Sequence, residues 1–529
     1  MTVPTLRQRA SGILLHPTSL PGPHGSGDLG VEARRFIDFL ATAKQRWWQM
    51  LPVGPPGYGE SPYSAESAFA GNPLLVSPES LADARLLDAA RLAPAKPLRA
   101  DRIEFTMAQA HRTRLLRAAS RAFEAHPERR SSFVHFCEEN GAWLDDFALF
   151  RALKEAHGRV QWTRWHAGVR KREPRALEAA RKELAPAIAF EKFAQYRFDQ
   201  EWRRLRAYAA ERGIGLIGDL PIFVAHDSAD VWQNPEAFFL DDEGEPTYVA
   251  GVPPDYFSAT GQRWGNPLYR WRRMRKTGYA WWIERMRMAL RRFDAVRLDH
   301  FIGFERYWRI QASEPTAARG RWIKGPGADF FDTVKSVLGD LPLIAEDLGE
   351  VTPKVYALRD RYRLPGIKVL QFAFGADPSA DSFLPHNYGR RAVVYTGTHD
   401  NDTTVGWWND PGGNESTRTA AQVRAEHERA LSYLATDGKE IHWDMVRAAM
   451  ASVARLALVP MQDVLGLGSH ARMNRPGQEQ GNWAWRLADG QLTPELAERL
   501  ALNAQTYGRH VSASARARSK HGDASKETA

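Results

Sequence analysis

The stretch Asp294-Ala295-Val296-Arg297-Leu298-Asp299-His300 is an apolar run that turns charged at one end. Side chains alternate faces along an extended chain, so Arg297 and Asp299, two residues apart, point the same way. A buried strand that finishes by presenting a guanidinium and a carboxylate on one face suits the C-terminal end of a barrel strand, where loops assemble a site. Seven other short apolar segments, each ending in polar residues or glycine, share this pattern. Before it stand Gly12-Ile-Leu-Leu-His16, Trp48-Gln-Met-Leu-Pro-Val53 and Gly215-Leu-Ile-Gly-Asp-Leu-Pro-Ile-Phe223. After it stand Leu343-Ile-Ala-Glu346, Gly366-Ile-Lys-Val-Leu-Gln-Phe372, Ala392-Val-Val-Tyr-Thr396 running into Thr398-His-Asp400, and Leu458-Val-Pro-Met-Gln-Asp463.

Helix-patterned segments lie between these runs, among them 31–46, 268–292 and 352–362. Such alternation builds a parallel sheet. Eight units predict an α/β fold, a (β/α)8 TIM barrel over residues 1–510 with helical insertions around its C-terminal face. The connection over 75–214 is too long for a βα loop and reads as a mostly helical insertion between strands two and three. The stretch 250–265, rich in glycine and aromatic residues, reads as a lid loop. Residues 511–529 hold almost no large apolar side chain and read as a disordered tail. There is no internal repeat.

The composition narrows the function classes. A chain of 529 residues with 43% hydrophobic and 26% charged residues is that of a soluble globular protein. No apolar run approaches the ~18 residues of a membrane span. The N-terminus lacks a signal-peptide core and cleavage site, so a cytoplasmic location is expected. A single cysteine, Cys137, forms neither an internal disulfide nor a thiolate zinc site. The net charge of +9 is spread along helical segments rich in both signs, which argues against nucleic acid. Eighteen tryptophans supply both core and aromatic faces able to pack on sugar rings.

Three local matches carry no chemistry. Gly25-Ser-Gly27-Asp-Leu-Gly30 fits a dinucleotide fingerprint, but it follows the first strand too distantly and has no acidic partner ~20 residues on. Asp241-Asp-Glu-Gly-Glu245 lacks the alternating spacing of a calcium loop. His226-Asp-Ser228 holds the side chains of a hydrolytic triad without a nucleophile elbow.

The carboxylates at strand ends are the candidates. Asp219 ends the third strand, Asp299 the fourth, Glu346 the fifth and Asp400 the seventh. Arg297 beside Asp299 favours the ionised form that attack on carbon requires. Glu346 between apolar walls suits a general acid, while Asp347 points the other way. Each acid alone has a structural reading, as an ion pair or a helix cap. Four at the mouth of one barrel point together to glycoside chemistry.

From His16 to about Trp485 the chain resembles amylomaltases, the disproportionating 4-α-glucanotransferases of the α-amylase clan. The resemblance rests on Leu15-His-Pro-Thr-Ser-Leu20, Gly59-Glu-Ser-Pro-Tyr-Ser64, Gly218-Asp-Leu-Pro-Ile222, Arg297-Leu-Asp-His-Phe301, Ala345-Glu-Asp-Leu-Gly349, Lys368-Val-Leu-Gln-Phe-Ala-Phe374, Gly397-Thr-His-Asp-Asn-Asp-Thr-Thr404 and Arg472-Met-Asn-Arg-Pro-Gly477. It implies Asp299 as nucleophile, Glu346 as general acid/base and Asp400 as transition-state stabiliser. It implies further that Tyr63, Asp219, Arg297 and His399 surround the transferred sugar, with His300 and Asn474 as additional contacts. The 250–265 lid would add Asp255, Gln262 and Trp264 on the acceptor side. The implied activity moves α-1,4-glucan segments between maltodextrins by a retaining double displacement, without metal or cofactor, in a monomer or weak homodimer. A hydrolase with the same carboxylates is the alternative. The chain departs from the family pattern at Ile302, where arginine is usual, at Arg309 and Gln311, where Glu and Pro are common, and at Ser26, where isoleucine is usual.

Overall fold

The computed structural model describes residues 3–126, 130–254, 260–413, 418–478 and 480–510. In chain order its strands are β1 (Ala10–Leu14), β2 (Trp47–Gln49), β3 (Gly215–Pro221), β4 (Tyr248–Val252), β5 (Gln262–Pro267), β6 (Ala295–Asp299), β7 (Arg306–Gln311), β8 (Gly320–Lys324), β9 (Leu343–Ala345), β10 (Gly366–Val369), β11 (Ala392–Tyr395) and β12 (Leu456–Pro460). Eight of them close a barrel in the order β1-β2-β3-β6-β9-β10-β11-β12, every pairing parallel. The expected (β/α)8 barrel is present, and each of the eight anticipated segments supplies one strand. Helices Val31–Thr42, Ala280–Arg292 and Pro353–Arg361 fall within the helical segments read from the sequence.

The strand period sorts the core into two layers. Trp47, Ile217, Ala295, Ile344, Ile367, Val393 and Leu456 point inward and pack as the barrel's own core. Trp48, Leu216, Val296, Leu298, Leu343 and Ala345 point outward into the larger core beneath the helices. Two residues beyond Ile217, Ala295 and Ile344, on the same inward face, come Asp219, Arg297 and Glu346. The barrel is thus apolar at its base and charged at its mouth.

Between β2 and β3 the chain runs through helices Pro78–Asp83, Phe105–Glu124, Arg130–Ala156, Pro174–Glu183 and Ala185–Glu211. The two 27-residue helices, Arg130–Ala156 and Ala185–Glu211, pack on each other, and the second leads into β3. Cys137 sits half-buried on the first of these.

A second sheet was not foreseen. Antiparallel strands in the order β5-β4-β7-β8 stand beside the barrel, bringing together the stretch after β3 and the stretch after β6. The 250–265 stretch, expected to be a loop, therefore enters along β4 and returns along β5. Backbone pairing with β7, far away in sequence, makes strands of residues whose local composition favours a loop. Asp255 and the 511–529 tail lie outside the described residues.

Trp47 fills the barrel floor, and its neighbours are glycines for that reason. A Cβ on Gly215 would lie 2.6 Å from the Trp47 ring, and one on Gly12 would lie 2.3 Å from its carbonyl oxygen. Gly215→Ala should therefore lower the unfolding free energy by about 1–3 kcal/mol, the usual cost of overpacking a filled core. Urea unfolding checks this; an unchanged midpoint would mean that the floor has slack.

Candidate active site

Neighbouring strands put Asp219 directly opposite Arg297 in the β3–β6 register. Arg297 Nη1 donates to Asp219 Oδ1 and Oδ2 at 2.9 and 2.7 Å, and lies 2.8 Å from Asp299 Oδ1. One guanidinium is thereby shared by two carboxylates, as the two-residue spacing of Arg297 and Asp299 anticipated. Burial works against the charge on Arg297, but Asp219 and Asp299 outweigh it and hold the guanidinium well above its ordinary pKa.

Tyr63 comes from a single 3-10 turn, Pro62–Ser64, after β2, and Ser61 caps that turn by accepting from the Tyr63 amide. Its hydroxyl donates to Asp219 Oδ2 at 2.7 Å. Burial first, and then the Asp219 charge, raise the phenol's pKa, which keeps the proton on the oxygen and the hydroxyl a donor. The Tyr63 ring stacks on His399 at a centroid distance of 5.0 Å.

Glu346 sits one residue past β9, buried, with Oε2 accepting from the His300 amide at 2.7 Å and Oε1 from the Leu348 amide at 3.2 Å. Burial raises its pKa; Arg297 opposes this and Asp299 adds to it. Its neighbour Asp347 does face the other way, as expected: it pairs with Arg359 at 2.6 Å and accepts from the Ile367 amide at 2.7 Å. His300 adopts a left-handed backbone, φ 51°. Burial lowers its imidazole pKa to about 4, so the ring is neutral at pH 7, and its Nε2 has no hydrogen-bond partner among the described residues.

Asp400 is the most open of the three acids, its side chain 47% exposed. Asn474 Nδ2 donates to its Oδ1 at 2.6 Å and His399 Nε2 lies 3.4 Å from Oδ2. Arg472 ties the two segments together by donating to the carbonyls of Asp400 and Asn474, each at 2.7 Å.

On β5, Trp264 Nε1 donates to Gln262 Oε1 at 3.2 Å, and the Trp264 ring stands edge-on to His300 at 4.9 Å. The second sheet therefore reaches the acid Glu346 through His300. The predicted residues Asp299, Glu346, Asp219, Arg297, Tyr63, His399 and His300 form one network. Asp400 and Asn474 join it at His399, and Gln262 and Trp264 join it at His300; Asp255 lies outside the described residues.

Trp483 was missed. Its buried ring lies 5.7 Å from Tyr63 and 6.0 Å from His399, and its φ is 62°, a conformation bulky residues rarely adopt. Gly481-Asn482-Trp483 gives no periodic signal, so only the tertiary stack marks it.

The matches set aside from sequence have structural partners. Arg112 fills the Gly25–Gly30 loop, donating to the His24 and Ser26 carbonyls and to Asp28. Asp241 Oδ1 accepts from the amides of Glu243 and Glu245, each at 2.9 Å, which makes that acidic stretch a turn. His226 bonds the Gly244 carbonyl, Asp227 pairs with Lys154, and Ser228 caps helix Ala229–Gln233, so the three diverge. Ile302 is buried in the apolar core, and Arg309 lies over the Tyr248 ring at 4.5 Å. No described helix is long and apolar enough to cross a membrane.

Two carboxyls on adjoining strands thus sit in different environments: Asp299 is paired to a cation, and Glu346 is buried and accepts from two backbone amides. That is the division of labour glycoside chemistry uses.

Comparison with known proteins shows the family. The family model described as 4-alpha-glucanotransferase matches residues 15–493. The 4-alpha-glucanotransferase of Thermus thermophilus is 52% identical over 95% of this chain and 99% of its own length. That of Synechocystis sp. is 48% identical over 96% and 99%. Among solved structures, an amylomaltase from Streptococcus agalactiae in complex with acarbose superposes with a TM-score of 0.90 at 34% identity, covering 95% of this chain and all of that one. The chain belongs to the 4-alpha-glucanotransferase family.

Proposed function

We propose that glucan transglycosylation in this chain runs through Asp299, Glu346 and Asp400 as a retaining double displacement on α-1,4-glucans. The observation that supports it most is the contrast between Asp299, ion-paired to Arg297, and Glu346, whose burial favours the proton. Asp299 attacks the anomeric carbon while Glu346 gives its proton to the departing 4-oxygen, so one glycosidic bond is exchanged for an ester to the enzyme. Glu346, now ionised, takes the proton of an incoming 4-hydroxyl, and that oxygen displaces Asp299. An α-1,4 bond is broken and an α-1,4 bond is made. Asp400, steadied by Asn474, and the Tyr63–His399 pair hold the sugar between them.

Incubation with maltotriose should give glucose together with a ladder of longer maltodextrins; glucose and maltose alone would indicate hydrolysis. Asp299→Ala should abolish both, because it removes the carboxylate that attacks the anomeric carbon in this reading.

The raised pKa of Glu346 sets a pH dependence. As an acid it acts only while protonated, so kcat/KM should fall as pH rises through a value well above the ~4.3 of an ordinary glutamate. A descending limb at pH 4–5 would remove Glu346 from the role. Glu346→Gln should lose far less rate with α-maltosyl fluoride, whose leaving group needs no proton, than with maltotriose.

Transfer requires that water be kept from the enzyme-bound sugar. Trp264, 38% exposed and propped on His300, is the aromatic cover that β5 brings to the acceptor side. Replacing it with alanine should raise the ratio of glucose hydrolysed to glucan transferred, read by comparing reducing ends with chain-length distribution. An unchanged ratio would assign water exclusion to other residues.

A further inference from the structure

Helix Arg130–Ala156 directs two cations toward the barrel loops rather than toward solvent. Arg151 pairs with Glu66, and also lies 3.7 Å from Glu191 and 3.8 Å from Glu155. Lys154 pairs with Asp227 and lies 3.7 Å from Glu66. Glu66 and Lys154 are both buried. Charges withdrawn from water in this way are expensive and weak evidence for stability in their own right. Their position is informative.

Glu66 closes the loop that carries Tyr63. Pro56 and Ala65 form an isolated bridge, the Gly57 amide donates to the Ser64 carbonyl at 3.0 Å, and the Glu66 amide donates to the Pro55 carbonyl at 2.9 Å. Tyr63 stands three residues before this closure. Asp227 belongs to the loop after β3, eight residues beyond Asp219, so Lys154 joins the loop of Tyr63 to the loop that follows its hydrogen-bond acceptor. A second tie comes from helix Phe105–Glu124, where Gln109 Nε2 donates to Glu60 Oε2 at 2.9 Å.

We infer that Arg151 and Lys154 are positioning residues: through Glu66 and Asp227 they hold the Tyr63 hydroxyl on Asp219, and so the helical segment between β2 and β3 contributes to catalysis without touching substrate. The line of contact runs from Arg151 to Glu66, along the loop to Tyr63, and on to Asp219, Arg297 and Asp299. This rests on the reading of Tyr63 as part of the sugar site, and the experiment separates the two.

Disproportionation of maltotriose is measured for the unmodified chain, Arg151→Met, Arg151→Lys, Tyr63→Phe and the double variant Arg151→Met/Tyr63→Phe, with thermal melts for each. Displacing a group at the site by about 1 Å is worth roughly 10- to 100-fold in rate. Arg151→Met should fall within that range, mainly in kcat, and Arg151→Lys should recover most of the loss. The double variant should be within about twofold of Tyr63→Phe, because the two changes act through one group. Losses that multiply, full activity in Arg151→Met, or no recovery with lysine would each overturn the inference. Unchanged activity in Tyr63→Phe would instead sink the reading of Tyr63. If Arg151→Met does not fold, Lys154→Met, which removes the Lys154 ion pairs to both loops but leaves the Ala229 amide on the Glu66 carbonyl and spares the Arg151–Glu66 pair, is judged by the same double-variant criterion.

Discussion

The site depends on one guanidinium held between two carboxylates. Arg297 satisfies Asp219 on one side and Asp299 on the other, and Tyr63 secures the arrangement by donating to Asp219. Burial raises the pKa of both Asp219 and Glu346, and Arg297 opposes it at each. Without Asp219, Arg297 would pair with Asp299 alone. Without Arg297, two carboxylates on adjoining strands would repel, and one would take up a proton.

The barrel floor makes these charges count. Trp47, Ile217, Ala295 and Ile344 close the barrel from below, and the charged layer begins two residues further along the same strands. Charges above a dry apolar plug interact through low dielectric, which strengthens every pairing and raises the cost of any group left unpaired. Glu346 meets that cost by holding a proton and accepting from two amides, and Arg297 meets it with its two carboxylates. The same two-residue period builds the floor and the site, so a slip of one residue in any strand would exchange them.

That period explains what the sequence made legible. Asp219, Arg297, Asp299 and Glu346 could be placed because strand alternation is local, and the opposite direction of Asp347 followed from the same rule. The second sheet could not be read in this way. β7 and β8 hold Arg306–Gln311 and Gly320–Lys324, and β7, which carries β8 on its other edge, pairs with β4 from a distant part of the chain. That 250–252 and 262–265, the two ends of the 250–265 stretch, lie in strands was hidden on the same ground. Trp483 and the Arg151–Glu66 pair were equally invisible: one depends on a stack between residues some 420 apart in sequence, the other on a helix packing across two loops. Local chemistry located the acids, whereas the groups that steady them are tertiary.

The left-handed turn at His300 joins the second sheet to Glu346. A residue there pays conformational strain of order 1–3 kcal/mol, which persists only where surrounding structure fixes it. The turn sends the His300 amide to Glu346 and leaves the neutral ring beneath Trp264. Phe301 donates from its own amide to the Glu346 carbonyl at 3.0 Å, and Ile302 is buried behind it. An arginine in place of Ile302 would bring a charge into this apolar packing, whereas isoleucine anchors the turn without one. Trp264 therefore packs on the residue whose amide binds Glu346, so that the second sheet and the buried carboxyl are joined through a single peptide unit.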